Sequence, residues 1–106
     1  MVNRNGRKTR ETGMIEKVLK DHFPDYPKDF PPAAYRYNPA SIRVRLIHKS
    51  FKGKSLSERE DMVLPVIRTL PEKTQADIMI LLLLSPSEVD RSAGNVEFEM
   101  PSPSKP

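Results

Sequence analysis

The chain has 106 residues, with 18 Lys and Arg against 14 Asp and Glu, and it contains no cysteine. This length allows one domain with a modest core. The lack of cysteine excludes disulfides, thiolate nucleophiles and metal sites that need this chain's own sulfur. The longest apolar run, Ile78 to Leu84, is too short to span a bilayer, and the basic N-terminus lacks the apolar run of a secretory signal. We therefore expect a soluble, cytoplasmic protein.

Charge is distributed unevenly along the chain. Residues 1–54 carry 13 Lys and Arg against 5 Asp and Glu, whereas residues 55–106 carry 5 against 9. Such a separation indicates a basic surface for an anionic partner. An ordinary solvated surface with a basic tail explains the same numbers equally well.

The first segments predict a basic arm and a short helix. Residues 1–12 are polar and basic without periodicity, so we expect a disordered arm. Apolar residues then recur at helical spacing and predict a helix over roughly Gly13 to His22. Pro24 ends it, because the residue before a proline avoids helical geometry. A proline-rich connection leads to a short strand at Ala33 to Tyr37.

Ser41 to Ile47 is the clearest strand in the sequence. Positions 42, 44 and 46 are aliphatic, whereas Arg43 and Arg45 lie between them. This alternation is typical of a half-buried strand with an arginine-bearing outer face. The proline-containing turn at residues 38–41 joins it to the preceding strand as a hairpin.

A helix is predicted after the basic loop at residues 48–54. Ser55 and Glu58 have the spacing of a capping box, in which each side chain accepts a hydrogen bond from the other residue's backbone N–H. The helix extends to about Leu70. Pro65 inside it should kink it or split it in two, because proline lacks an N–H. The apolar side chains that this helix should bury are Leu56, Met62, Val63, Val66, Ile67 and Leu70.

The next segment, Asp77 to Leu84, is apolar after its first residue. It predicts a strand that is buried on both faces or central in the sheet. Ser85, Pro86 and Glu88 then have the order of a helix cap, a first-position proline and a capping-box partner. We therefore expect a helix of one or two turns after this strand.

The end of the chain predicts one more strand. Val96, Phe98 and Met100 alternate with Glu97 and Glu99, as in an edge strand that docks on its own sheet or pairs with another chain. We favour docking on its own sheet. Residues 101–106 are expected to be a disordered tail, so the predicted domain covers residues 13–100.

Together these elements predict an α+β fold in the order αββααβα. A hairpin followed by a helical crossover to a third strand gives a small three-stranded mixed sheet with helices on one face. The C-terminal segment would add a further strand to this sheet.

The element order and one motif resemble the BolA-like family, whose fold is related to the KH nucleic-acid module. The motif is the loop FKGKS at residues 51–55 after the strand IRVRLI, with an arginine at the family's spacing in the next helix. The resemblance covers roughly residues 14–90 and implies a non-enzymatic binding or regulatory module. The residues that carry the motif are Phe51, Gly53, Ser55 and Arg59.

The same resemblance implies a monothiol glutaredoxin-like partner, with which family members share an iron–sulfur cluster. The family's nearly constant helix histidine falls at Glu60 here, and a second common histidine falls at Asp77. Carboxylate oxygens suit soft iron–sulfur chemistry poorly. We therefore predict no cofactor and no metal ligand for this chain.

The residues expected to bind a partner form a basic strand–loop surface. Cations on such a surface could neutralise the phosphates of DNA or RNA, and the alternative is a solubilising outer face. The GXXG loop with which KH modules clamp nucleic acid is absent. The predicted binding residues are Arg43, Arg45, Lys49, Lys52, Lys54 and Arg59.

No group of residues predicts catalysis. Residues 53–55 resemble the end of a phosphate-binding loop, but the glycine required earlier falls at His48. We expect His22 to be structural at a helix end and His48 to be exposed. We therefore predict a non-enzymatic module that binds a glutaredoxin-type protein or nucleic acid. The alternative is an assembly protein that forms a weak homodimer through its C-terminal or edge strand.

Overall fold

The computed structural model describes residues 7–101. The helices are α1 (Arg10–His22), α2 (Leu56–Ile67), α3 (Glu72–Asp77) and α4 (Ala93–Glu99). The strands are β1 (Ala33–Asn38), β2 (Ser41–Ile47) and β3 (Ile78–Leu84), and short 3₁₀ helices span Lys49–Phe51 and Pro86–Arg91. The α+β class with a three-stranded mixed sheet is confirmed. The elements also follow the order αββααβα, although the second helix of the αα pair is α3 and not the part of a split helix that was predicted after Pro65.

The three strands form one mixed sheet in the order β1–β2–β3. β1 and β2 are the predicted antiparallel hairpin, with Tyr35 opposite Arg43. β2 and β3 run parallel, with Val44 opposite Leu81. A parallel pair needs a crossover connection, which α2 and α3 provide.

The core lies between one face of the sheet and helices α1 and α2. The aliphatic side chains of β2 that were predicted to face inward are fully buried there. Their partners come from the inner faces of the two helices and from the loop before α2. The most buried members are Ile15, Leu19, Ile42, Val44, Leu46, Phe51 and Val63.

The segment before α1 is more ordered than the predicted arm. Thr9 caps the helix and forms a capping box with Thr12, so α1 begins at Arg10 instead of Gly13. The backbone of Arg7 pairs with that of Arg36 in an isolated antiparallel bridge. The prediction of a disordered arm is therefore wrong for residues 7–12, and its first six residues lie outside the described part of the chain, as do residues 102–106 of the predicted tail.

Helix α2 has the predicted capping box of Ser55 and Glu58. It is a single helix through Pro65, so the predicted split is not observed. The helix ends only two residues later, at Ile67, so the missing N–H interrupts little. The predicted end at Leu70 is too late. Leu56 is 59% exposed, which corrects its assignment to the core.

β3 is an edge strand, which corrects the prediction of a central or fully buried position. Its first half is open to solvent, with Met79 63% and Ile80 42% exposed. Only Leu83 and Leu84 at its end are buried. A continuous apolar run does not distinguish a covered strand from one whose edge is open, because the run specifies both faces but not the neighbours in the sheet.

The predicted C-terminal strand is helix α4. Ser92 caps it by accepting a hydrogen bond from the Asn95 N–H. Asn95 and Phe98 are buried against the sheet, whereas Val96 is exposed. Positions 95 and 98 lie three apart and share one helix face, so the alternating pattern at residues 96–100 was misleading. α4 lies on the face of the sheet opposite α1 and α2, so helices cover both faces where the sequence predicted them on one.

Replacing Phe51 with alanine should destabilise the fold by about 3–5 kcal/mol, because this fully buried ring would leave a cavity. Leu56→Ala is the matched control and should change stability by less than about 0.5 kcal/mol, since Leu56 is largely exposed. Urea unfolding of the two variants measures both values. Equal losses would contradict the burial described here.

Candidate docking surfaces

The two strand arginines are not free to bind a partner. Arg45 is only 6% exposed; its Nη1 donates to Asn95 Oδ1 at 2.8 Å and also to Glu99 Oε2. Arg43 Nη1 donates to Glu97 Oε2 at 3.3 Å. The prediction that Arg43 and Arg45 face solvent is therefore wrong, because α4 covers them and supplies their counter-ions.

An aromatic contact also holds α4 in place. The Tyr35 hydroxyl donates to the Phe98 carbonyl at 2.8 Å, and the two ring centroids lie 4.9 Å apart. Burial raises the pKa of the Tyr35 phenol, which favours the neutral donor form. The Arg45 guanidinium lies 4.8 Å from the Phe98 ring centroid, a distance suited to a cation–π contact.

Arg59, the arginine that follows the FKGKS loop, holds several segments of the domain together. It is 7% exposed and binds Glu88 with two parallel hydrogen bonds of 2.7 and 2.9 Å. It also donates to the carbonyls of Lys54 and Leu83. These contacts join the loop, α2, β3 and the second 3₁₀ helix, so Arg59, which was predicted to bind a partner, is instead occupied by contacts within the domain.

The Arg59 pair also governs the ionisation of Glu88. Hydrogen bonds from Arg59 and from the Ser85 backbone N–H lower the pKa of the Glu88 carboxyl to about 2. The predicted capping box of Ser85 and Glu88 is present. Glu88 therefore caps one helix and neutralises the arginine of another.

The remaining motif residues shape the loop before α2. Phe51 is in the core, and Gly53 has φ of 75°, a backbone conformation that favours glycine. His48 is buried, contrary to prediction, because its Nε2 lies 2.7 Å from the Pro24 carbonyl. His22 contacts the Val18 carbonyl at the end of α1, in the structural position predicted for it.

Three of the predicted binding residues do reach solvent. Lys49, Lys52 and Lys54 are exposed on the loop, and none forms a salt bridge within residues 7–101. Asp77, at one of the two positions where the BolA-like resemblance implies a histidine, pairs with Arg36 at 3.0 Å. The described residues contain no cluster of side chains that could hold a metal ion.

Sequence reasoning missed a second surface, along the edge of β3. A groove of about 420 Å³ separates this strand from α2 and α3, and its lining includes Leu64, Ile67 and Leu81. On the other face of the strand, a cavity of about 80 Å³ lies between α4 and the side chains of Ile80 and Leu82. The exposed apolar side chains and the two hollows make this edge a candidate docking site.

The two strand edges of the sheet differ in how their backbone groups are satisfied. The outward groups of Ala34 and Arg36 on β1 have partners. Arg36 exchanges two bonds with the Arg7 backbone. The Ala34 N–H donates to Glu16, and the Ala34 carbonyl accepts from Lys8. On β3 only the Leu83 carbonyl has an outward partner among the described residues, which is Arg59.

Comparison with protein-family models, with curated proteins and with solved structures finds no match to this chain. The BolA-like resemblance therefore remains a prediction from the motif and the element order. Within residues 7–101, no helix has the length and apolar character needed to cross a bilayer.

Replacing Glu88 with glutamine should destabilise the protein by about 1–3 kcal/mol at pH 7, because Arg59 loses a charged hydrogen-bonding partner. The carboxylate stabilises the fold above its unfolded-state pKa, near 4.5, and this contribution is lost as the pH falls through about 2. The stability difference between wild type and Glu88→Gln should therefore shrink from pH 5 to pH 2. Urea unfolding across this range, with Glu72→Gln as an exposed control, measures it; a difference independent of pH would refute the assignment.

Removing the two acids of α4 should uncover the basic face. We expect Glu97→Gln/Glu99→Gln to elute from heparin at higher salt than Glu72→Gln/Asp90→Asn, which changes net charge equally but leaves α4 intact. The reason is that Arg43 and Arg45 lose their internal counter-ions and become available to sulfate groups. Identical elution of the two double variants would show that α4 does not mask these arginines.

Proposed function

We propose that this chain is a non-enzymatic binding module that docks an extended segment of another protein chain along the free edge of β3. The observation that carries this proposal is the contrast between the β1 edge, whose outward groups at Ala34 and Arg36 have partners, and an open, apolar β3 edge. Strand addition of this kind draws affinity from main-chain hydrogen bonds and specificity from alternate side-chain pockets.

The orientation of the β3 backbone identifies where a partner strand would bond. The Leu84 carbonyl accepts from the His48 N–H, so its backbone groups point toward β2. Because successive residues of a strand point to opposite sides, those of Leu81 and Leu83 point outward. The Leu83 carbonyl is occupied by Arg59, and the described residues provide no partner on that side for the Leu81 N–H and carbonyl.

The two hollows that flank β3 match the side chains of an added strand. Alternate residues of such a strand face opposite sides of the sheet. One set would enter the groove beside Leu64 and Leu81, and the other would approach Ile80 and Leu82 below α4. The backbone of the added segment would thus bond to β3, while its side chains would be recognised on both faces of the sheet.

The sequence of β3 lacks the charges and prolines by which proteins often protect an edge strand, although its register against β2 shifts between Ile42 and Arg43. Natural edges commonly carry charged side chains or prolines that prevent pairing. Residues 78–84 are IMILLLL, without a charge or a proline. Such an edge favours contact with another chain over solvent, which supports a docking role.

The exposed loop lysines favour a second candidate function, contact with an anionic partner. Lys49, Lys52 and Lys54 lie on a loop that is fixed at one end by Phe51 and at the other by the capping box of α2. A nucleic acid or an acidic face of a glutaredoxin-like protein would suit these charges. Without the two covered arginines, this basic surface is smaller than the sequence implied, so we rank it second.

The strand-addition proposal is tested by selecting random phage-displayed peptides against the immobilised full chain. Selected peptides should alternate apolar and polar residues, and their synthetic forms should shift the NMR signals of the backbone amides of residues 79–82. Met79→Lys should weaken their binding at least about tenfold, because a charge on the edge opposes pairing.

Met100→Lys is the matched control, since Met100 is also an exposed methionine but lies beyond α4. It should bind the peptides as wild type does. Peptides that shift only the signals of residues 49–54, or that bind Met79→Lys and wild type equally, would count against strand addition at β3 and in favour of the loop.

A further inference from the structure

We infer that the chain that docks on the β3 edge is a second copy of this protein, arranged about a two-fold axis. This inference rests on the proposed strand addition and names its partner. Three features support it: the free backbone groups at Leu81, the direction of α2 relative to β3, and a charge pattern on α2.

Helix α2, together with Arg68 directly after its end, presents a stripe of residues spaced four apart toward the same edge. Glu60, Leu64 and Arg68 line the groove beside β3, and Leu56 continues the stripe at the exposed start of the helix. Neither the Glu60 carboxylate nor the Arg68 guanidinium forms a salt bridge within residues 7–101. An acid and a base thus lie one helical turn on either side of a leucine, without internal partners.

α2 runs antiparallel to β3. Near its start, Arg59 reaches the Leu83 carbonyl at the end of the strand. At its other end, Arg68 lines the groove together with Ile78, the first residue of the strand. A two-fold axis that inverts β3 therefore inverts α2 as well.

Antiparallel pairing of two β3 strands about Leu81 satisfies the open backbone groups of Leu81. Two residues that face each other in such a pair can exchange both N–H to carbonyl bonds, and Leu81 opposite Leu81 of the second copy would do so. Ile80 would lie opposite Leu82 of the second copy on the α4 side. Every opposing side chain along IMILLLL is then apolar, and the two sheets become one of six strands.

The same axis makes the α2 stripe complementary to itself. With Leu64 near Leu64 of the second copy, Glu60 of each copy lies opposite Arg68 of the other. Glu60 and Arg68 are about 12 Å apart along their own helix, so the two ion pairs flank the leucines without competing. An isologous contact of this kind pairs each patch with itself and closes after two chains, and the β1 edges that remain are already capped.

The experiment is sedimentation equilibrium of the full chain with charge-swapped variants. Wild type should sediment at twice its mass of 12.1 kDa. Glu60→Arg and Arg68→Glu should each raise the dimer dissociation constant at least about tenfold, because each creates two like-charge contacts. The double variant Glu60→Arg/Arg68→Glu has the composition of wild type and should recover its dissociation constant within about threefold.

The outcomes separate the partner from the docking mode. A monomeric wild type at concentrations near 1 mM overturns the second copy as partner, whereas strand addition is then decided by the peptide experiment. A dimer that Met79→Lys disrupts but that ignores both single charge reversals overturns the two-fold arrangement and leaves strand addition standing. A dimer that withstands Met79→Lys as well does not use the β3 edge, which overturns the second copy as its occupant and again leaves strand addition to the peptide experiment.

Discussion

The unpaired edge of strand β3 is the physical feature on which the proposed function depends. Backbone N–H and carbonyl groups need partners, and the chain supplies them unequally to the two edges of its sheet. At β1, the Arg7 backbone, Lys8 and Glu16 occupy every outward group of Ala34 and Arg36. At β3, Arg59 occupies one carbonyl near the end of the strand, and the remainder of the edge is apolar and open. The proposed function and the proposed partner both follow from this asymmetry.

Ion pairs inside the domain occupy the arginines of β2, so the apolar edge of β3 replaces the basic strand as the candidate site. Arg43 and Arg45, two of the six cations expected to form an anion-binding face, pair instead with Glu97 and Glu99. These ion pairs help to hold α4 over one face of the sheet. The ion pair of Arg59 and Glu88 likewise neutralises a buried arginine, and it joins α2 to the second 3₁₀ helix. The loop lysines, Glu60 of α2 and Arg68 just after α2 form no salt bridge within residues 7–101, and these are the charges that the two proposals assign to partners outside the domain.

Sequence reasoning predicted the features set by local rules. The hairpin, the inward face of β2 and the capping boxes at Ser55 and Ser85 depend on neighbouring residues, and the structure confirms them. Sequence reasoning failed where the burial of a residue depends on residues far away in the sequence. Burial of Arg45 depends on Asn95 and Glu99, about fifty positions away, and the exposure of β3 depends on its place at the edge of the sheet. Helix α4 was mistaken for a strand because a short apolar alternation outweighed the Ser92 cap. The negative net charge of the second half of the chain was the available signal that the arginines would be neutralised internally.

Hydrogen exchange of the Leu81 backbone amide, followed by NMR at increasing protein concentration, tests the central claim most directly. In dilute solution this amide should exchange quickly while that of Leu82, which faces β2, is protected. At high concentration the Leu81 amide should become protected as another chain joins the edge, and the amide of Arg36 on the capped β1 edge should be unaffected. Exchange at Leu81 that is equally slow in dilute solution, or equally fast at every concentration, would contradict an open β3 edge that recruits a second copy.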